Sequence, residues 1–266
     1  GVKRHKEKAR ERFLRPDELP FIMAAIDKEE TCAGDDGTPK AGKRAGEAKG
    51  QGGKGLKEQE SRGITPHAAA LFRLLIFTGA RRGEILDLQW RFVDWEASAL
   101  RLPDSKTGKK AVWLNATAVE QLRRLWEIRS QERWVIEGRE HGKPLNNASK
   151  PWDRVRKRAN ALRAEAMEKE GKDPSGDPAP FSGLRMHDLR HSWASFAVAD
   201  GAALPIIGNS LGHRNVATTA RYAHLADDPA KRLADRVEEI MLEAIEGKRG
   251  KVETIPGQDK KAGEGN

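Results

Sequence analysis

The chain has 266 residues, of which 37% are hydrophobic and 33% charged, and its formal net charge is +9 at pH 7. This length can bury a sizeable core in one large or two small domains. The positive balance favours a polyanionic partner such as nucleic acid, with a solvated basic surface as the alternative. A single cysteine, Cys32, excludes an intrachain disulfide and a cysteine zinc cluster. The low cysteine content fits a reducing interior, and the N-terminal residues show no secretory signal, so we expect a cytoplasmic protein. The longest apolar stretch, residues 67–80, contains Arg73 and is too short to span a bilayer.

The first quarter of the chain predicts one helix between two polar segments. Residues 1–15 are basic and are predicted to be a linker. Pro16 is predicted to open a helix, because proline suits the first helical position. Residues 31–62 are rich in Gly, Lys and Glu and contain almost no large apolar side chain. Such a segment cannot bury enough surface to offset the entropy of its ordering, which predicts a mobile insertion.

The middle of the chain predicts two helices followed by a small sheet. Thr65 is predicted to cap a helix that has Pro66 in its first turn and ends at residues 78–79. A second helix is predicted over residues 82–90. Residues 91–115 alternate apolar and polar side chains in three short runs, which predicts an antiparallel sheet with SKTG as the turn before its last strand.

Helical spacing returns after the sheet and continues to the last apolar residue near position 245. The helical signals cover 116–131, a helix opened by Pro151, 186–200, 204–211, a short helix capped by Asn215, and 229–245. Residues 247–266 are predicted to be a disordered tail. The predicted fold class is therefore mainly α with a small antiparallel β-sheet (α+β).

Four short segments concentrate groups that bind phosphate and transfer protons. They are TGARRGEILDLQW (78–90), SKTGKKAVWL (105–114), MHDLRHSWAS (186–195) and LGHRNVATTARYAHL (211–225). Each has an ordinary explanation when taken alone: Arg81 suits a helix start, KTG is a common turn, and His213 suits a helix C-terminus. His187 and His191 can share a helix face as zinc ligands, but the Glu of an HExxH pattern is missing, so we interpret the pair as structural.

In combination and in this order, the four segments resemble the tyrosine recombinase (phage integrase) family over residues 12–246. The resemblance implies the catalytic-domain fold of that family and six catalytic residues: Arg81, Lys106, His187, Arg190, His213 and Tyr222. Tyr222, the only tyrosine in the chain, follows His213 by nine residues, as in the family. The resemblance also implies that Glu84 supports the first arginine, with a solvated acid at a helix start as the alternative.

The residue types suit the chemistry that the resemblance implies. Two arginines stay ionised and present parallel donors to a phosphodiester that gains negative charge during attack. His187 or His213 can accept the proton of the Tyr222 phenol, whose unperturbed pKa is about 10. Lys106 can donate a proton to the departing 5′-oxygen. Because the arginines supply the charge stabilisation that Mg²⁺ supplies in many nucleases, we expect no metal and no cofactor.

The resemblance implies a site-specific DNA recombinase or integrase that cleaves and rejoins strands through a 3′-phosphotyrosyl intermediate without ATP. The expected partner is double-stranded DNA, bound by a homotetramer on two sites. The expected organisation is a catalytic domain over residues 16–246, without the N-terminal core-binding domain of the family. Three alternatives remain: a type IB topoisomerase or telomere resolvase, a non-catalytic DNA-binding relic, and a metal-dependent hydrolase that uses His187 and His191.

Overall fold

The computed structural model describes residues 12–34, 63–105, 108–176, 179–213, 215–225 and 229–245. The chain divides into two compact units, residues 1–225 and residues 226–266. Most of the predicted basic linker, most of the predicted insertion, Lys106 in the SKTG turn and the predicted tail lie outside the described residues.

The described residues form helices, with one small sheet in the first unit. The α-helices are α1 (Leu19–Gly34), α2 (Pro66–Thr78), α3 (Arg82–Leu86), α4 (Ala116–Ile128), α5 (Ser149–Lys169), α6 (Met186–Ala199), α7 (Leu204–Leu211), α8 (Val216–Ala220) and α9 (Pro229–Ile245). Short 3₁₀ helices cover Trp90–Phe92, Pro174–Gly176 and Ala223–Leu225. Strands β1 (Val93–Asp94), β2 (Ala99–Ser105) and β3 (Gly108–Trp113) pair antiparallel in that order. The predicted fold class is confirmed.

Helix α2 begins and ends where its local signals predict. The Thr65 side chain accepts a hydrogen bond from the Ala68 N–H at 3.2 Å, and proline occupies the first turn. Gly79 ends the helix in the left-handed conformation, with φ at +62°. A Cβ at Gly79 would also lie 2.9 Å from the Trp193 ring. Glycine is therefore required at this position by both the backbone and the close packing of α6.

Helix α3 is shorter than predicted because the backbone after it pairs with a distant segment. The helix ends at Leu86 rather than at residue 90. Val135 then donates to the Leu88 carbonyl at 2.9 Å, and Trp90 donates to the Arg133 carbonyl at 3.0 Å. Extended pairing satisfies these backbone groups instead of further helical turns. Helix α1 differs as well: it begins at Leu19 rather than Pro16 and runs to Gly34, beyond the predicted start of the insertion.

One hydrophobic core joins helices α1 to α6 around α2. Helix α1 packs against α5, and α2 packs against both α4 and α6. The ring of Phe72 on α2 lies 4.9 Å from the ring of Trp152 on α5. Because ten residues of α2 are buried, its C-terminal end at Gly79 is held firmly against the N-terminal half of α6. These two elements carry two of the predicted motifs.

In the second unit the structure describes α9. Its exposed apolar side chains include Val237, Met241 and Ile245, which recur every four residues and so form one stripe along the helix. Across the described parts of both units, no helix combines the length and the apolar character that crossing a membrane requires.

Candidate active site

Two of the four predicted motifs, and the described parts of the other two, lie in the first unit. Strand β3 packs against α7, and the 3₁₀ helix that follows Tyr222 packs against α6. Five of the six predicted catalytic residues lie among the described residues: Arg81 after α2, His187 and Arg190 on α6, His213 after α7 and Tyr222 after α8. Lys106 lies outside them.

Arg190 is buried, with 4% of its surface exposed, and it is held by backbone carbonyls. Its Nη1 donates to the Gly79 carbonyl at 2.8 Å, and its Nη2 donates to the Leu211 carbonyl at 2.6 Å. Both carbonyls lie at helix C-termini, where the helix itself supplies no donor. Among the described residues, no carboxylate forms an ion pair with this guanidinium. Burial and the nearby Arg81 lower the pKa of Arg190 to about 10, so it remains charged at pH 7.

Glu84 ties two cations together beside Arg190. Its Oε2 accepts hydrogen bonds from the Arg81 backbone N–H and from the Lys110 Nζ, both at 2.8 Å. Its Oε1 accepts from the Arg81 Nη1 at 2.8 Å, while the Arg81 Nη2 donates to the Gly212 carbonyl at 2.9 Å. Burial alone would raise the pKa of Glu84, but the donors on Lys110 and Arg81 outweigh it and lower the pKa. This geometry agrees with a supporting role for the carboxylate rather than a solvated one.

Lys110 is a site residue that the sequence interpretation missed. It pairs with Leu102 in the sheet and shares the buried side of β3 with Val112. A Cβ at Gly212 would lie 3.0 Å from the Lys110 Cδ, so the lysine stem packs closely against the end of α7. Burial, opposed by Glu84, lowers the pKa of Lys110, and Arg190 and Arg81 lower it further. The alternation of side chains along β3 could have indicated this burial, because it places position 110 on the apolar side of the strand.

The site therefore carries more positive than negative charge. Three cations, Arg81, Lys110 and Arg190, surround one hydrogen-bonded carboxylate, Glu84. An excess of fixed donors suits an anion with several oxygens, such as a phosphodiester. In the part of the chain that the structure describes, no group of three or more His, Cys, Asp or Glu side chains is arranged to hold a metal ion.

Tyr222 is buried, and its hydroxyl forms a hydrogen bond with a histidine of α6. The Oη lies 2.5 Å from the Nδ1 of His191, and 5% of the residue is exposed. The His213 Nδ1 bonds instead to the Thr219 Oγ1 at 2.8 Å. The His187 ring stands edge-on to the His191 ring, with their centroids 4.9 Å apart. His191 was recognised in the sequence only as a structural residue or zinc ligand, although its spacing from His187 does indicate a shared helix face.

All three histidines of the site are biased toward their neutral form. Burial, and next the positive charge of Arg190, lowers the pKa of His187. Burial and the neighbouring His187 lower the pKa of His191. For His213, burial together with the surrounding cations lowers the pKa to about 4. Near pH 7, each imidazole can therefore donate one hydrogen bond and accept another.

Fold and site together define a class: a mainly helical domain in which a buried arginine and a buried tyrosine lie with further arginine, lysine and histidine side chains in one site. The model of the phage integrase family matches residues 56–228. The chain belongs to the phage integrase family. Its relatives include the integrase of Salmonella phage P22, 26% identical over 69% of this chain and 49% of the phage protein. The tyrosine recombinase XerD of Corynebacterium glutamicum is 29% identical over 60% of this chain and 48% of XerD.

Solved structures agree on the fold. The XerA recombinase superposes with a TM-score of 0.52 at 17% identity, covering 88% of this chain and 66% of XerA. The Tn1549 transposon integrase, in complex with circular intermediate DNA, gives a TM-score of 0.54 at 15% identity over 87% of this chain and 68% of that integrase. The chain spans about half the length of the curated relatives it matches.

Proposed function

We propose that this chain is the catalytic domain of a site-specific recombinase or integrase, a DNA strand transferase. Tyr222 attacks a DNA phosphodiester, which forms a 3′-phosphotyrosyl link and releases a 5′-hydroxyl. The observation that carries this proposal is the position of the buried Tyr222 hydroxyl, which lies 2.5 Å from the Nδ1 of His191, the residue that follows Arg190 on α6. A nucleophile and a fixed cation therefore share one site.

The charge distribution supports a metal-free reaction. Arg81 and Arg190 offer donors to the non-bridging oxygens, and removing one preorganised donor of this kind typically costs about 2.7–4 kcal/mol in the transition state. The phosphotyrosyl link retains the energy of the broken bond, so a 5′-hydroxyl from another strand can displace the tyrosine without ATP. Lys106 is proposed to protonate the departing 5′-oxygen, as the resemblance implies. Lys110, whose pKa is lowered, donates to Glu84, which also accepts from Arg81.

Double-stranded DNA is the proposed partner, bound by a homotetramer on two sites in the cytoplasm. The net charge of +9 supports a polyanion. The solved Tn1549 integrase is in complex with circular intermediate DNA, and a solved XerH site-specific recombinase is bound to its difH substrate. The exposed apolar stripe of α9, which includes Met241, is proposed to dock onto a neighbouring copy. DNA affinity should fall steeply with salt, since phosphate contacts release counterions.

Covalent trapping tests the proposed reaction. The chain is incubated at low salt, in EDTA, with a pool of end-labelled, nicked duplexes of randomised sequence, so that a cleaved strand leaves as a short fragment. Protein-linked label is then counted after denaturation in detergent. We expect an adduct from the wild type and none from Tyr222→Phe. Because the chain has one tyrosine, peptide mapping must locate the phosphotyrosyl link at that residue.

The matched control is His141→Asn, which changes an exposed histidine in a turn outside the site. It should form the adduct at the wild-type rate. No adduct from the wild type at any salt concentration contradicts the proposed reaction. An adduct that survives in Tyr222→Phe contradicts the residue assignment, and a strict metal requirement favours the hydrolase alternative.

A further inference from the structure

The Tyr222 hydroxyl is positioned by a histidine outside the six residues that the family resemblance assigns. His191 lies one helical turn after His187 on α6, and its Nδ1 is 2.5 Å from the Tyr222 Oη. The 3₁₀ helix Ala223–Leu225 packs against α6 and holds the tyrosine backbone next to that helix. Two elements that are distant in sequence therefore fix the contact.

The other two histidines of the site are positioned differently. The Nδ1 of His213 bonds to the Oγ1 of Thr219, a residue that is 1% exposed. Thr219 is itself confined, because a Cβ at Gly208 would lie 2.8 Å from its Oγ1. The ring of His187 stands nearly perpendicular to that of His191, at 89°. The ring nitrogen of His191, by contrast, is hydrogen-bonded to the nucleophilic oxygen.

We infer that His191 is a further catalytic residue, the one that takes the Tyr222 proton during attack and returns it during rejoining. This inference rests on the proposed function. As the Tyr222 Oη forms its bond to phosphorus, its proton moves to the His191 Nδ1, while the P–O5′ bond breaks and the 5′-oxygen takes a proton from a lysine or water. In the reverse step the 5′-hydroxyl attacks phosphorus and returns its proton to that lysine or water, while the bond between phosphorus and the tyrosine oxygen breaks and the departing phenolate recovers its proton from the imidazolium.

The surroundings of His191 suit a proton acceptor. The charged or titratable groups that face it are His187, Asp188 and Arg190 from α6, and Arg221 from the residues preceding the tyrosine. Burial and His187 lower its pKa, opposed by Asp188, so the imidazole is neutral before the reaction. A bound phosphodiester adds negative charge nearby, which stabilises the imidazolium once the proton has moved.

The rate of adduct formation, measured as a function of pH, tests this role. His191→Asn keeps a side chain that can hydrogen-bond the phenol but cannot take its proton, while His141→Asn is the matched control for the same substitution. We expect His191→Asn to slow adduct formation by about 100- to 10,000-fold, the usual contribution of general acid–base catalysis. The wild-type rate should level off above the pKa of His191. The variant rate should keep rising toward the phenol pKa of about 10, because only the ionised tyrosine then attacks.

The outcomes separate the inference from the proposed function. Absence of an adduct from the wild type contradicts the proposed function itself. An adduct from the wild type, with His191→Asn showing the same rate and the same pH profile, overturns the inference alone.

A second measurement needs no DNA. Because Tyr222 is the only tyrosine, protein labelled with ¹³Cζ-tyrosine gives a single NMR signal that reports on this hydroxyl. We expect the signal to shift in a step below pH 6.5 as His191 gains its proton, and the step to persist in His141→Asn and vanish in His191→Asn. A wild-type signal without that step, or a step unchanged in His191→Asn, overturns the inference.

Discussion

Two buried arginines of this protein are satisfied in opposite ways. Arg73 and Arg190 expose 6% and 4% of their surfaces, so burial does not distinguish them. Arg73 forms ion pairs with Asp27 at 2.5 Å and with Glu30 at 2.6 Å, which ties α2 to α1. Arg190 donates instead to the Gly79 and Leu211 carbonyls. One guanidinium is paired with carboxylates, and the other donates, within the described part of the chain, to two peptide carbonyls.

The difference separates a structural charge from a functional one. Carboxylates neutralise the charge of Arg73, which leaves little field to attract a ligand. Carbonyl dipoles satisfy the Arg190 donors without cancelling the net charge. A buried charge left in this condition is costly to the folded state unless an anion joins it. The protein carries that cost where a phosphodiester is proposed to bind, so the following predictions treat the two arginines as a matched pair.

The largest expected effect is the loss of adduct formation in Arg190→Gln. Removing a preorganised donor from the transition state should slow the reaction by about 1,000-fold, which is about 4 kcal/mol. Single-turnover rates with the nicked duplex pool measure this effect. Arg73→Met is the matched control, and its folded fraction should react at the wild-type rate. Equal slowing of both variants would contradict the proposed division of roles.

The reverse pattern is expected for stability. Arg73→Met leaves Glu30 buried with Arg124 as its remaining partner and should lower the free energy of unfolding by about 3 kcal/mol. Arg190→Gln should change it by less, since removing the charge also relieves repulsion from Arg81. Urea unfolding followed by tryptophan fluorescence measures both variants. A larger loss in Arg190→Gln would mean that this arginine is chiefly structural.

The fold was largely predictable from the sequence because its signals are local. Thr65, Pro66 and Gly79 define α2 within a few residues of themselves, and strand alternation indicates the sheet directly. The sequence predicted helix α3 to be longer than it is, because the end of the helix depends on pairing with residues 133–135, which are remote in the chain. Local patterns carry no information about such a partner.

The sequence predicted which residues belong to the candidate site better than it predicted the contacts between them. The order of the motifs in the sequence identified Arg81, Arg190 and Tyr222 as candidate site residues, but their assignment to catalysis stays a prediction. The partner of the tyrosine could not be read from spacing, since His191 and Tyr222 are 31 residues apart and meet only through helix packing. Lys110 was overlooked because a lysine in a strand is ordinarily exposed, whereas here its stem is buried beside Gly212.

A smaller effect is expected from inorganic sulfate, which resembles a phosphodiester in charge and shape. If sulfate binds beside Arg190, a concentration ten times its Kd should stabilise the fold by about 1.4 kcal/mol. Sulfate also stabilises proteins non-specifically, so the informative quantity is the difference between variants in thermal unfolding. Arg73→Met should retain the full gain and Arg190→Gln only the non-specific part. Equal gains in both variants would indicate that the cation cluster holds no anion.

The last expected effect is a loss of stability in acid, and the lowered pKa values of the site histidines determine its direction. The folded-state pKa of His213 is lowered to about 4, below its ordinary value of 6.5, so the unfolded chain binds more protons between these values. The free energy of unfolding should therefore fall as the pH falls from 6.5 toward 4. Urea unfolding at intervals of half a pH unit measures the slope, with 2 mM EDTA present throughout.

The same series of urea unfolding measurements compares the histidines near Arg190 with the ion pairs of Arg73. His213→Asn should reduce the slope, because it removes one of the groups whose protonation the folded state resists; His187 and His191 account for part of the remainder. Arg73→Met should shift the whole curve to lower stability, because it removes the ion pairs that join α2 to α1. A slope unchanged in His213→Asn would mean that burial near the cation cluster does not hold this histidine neutral.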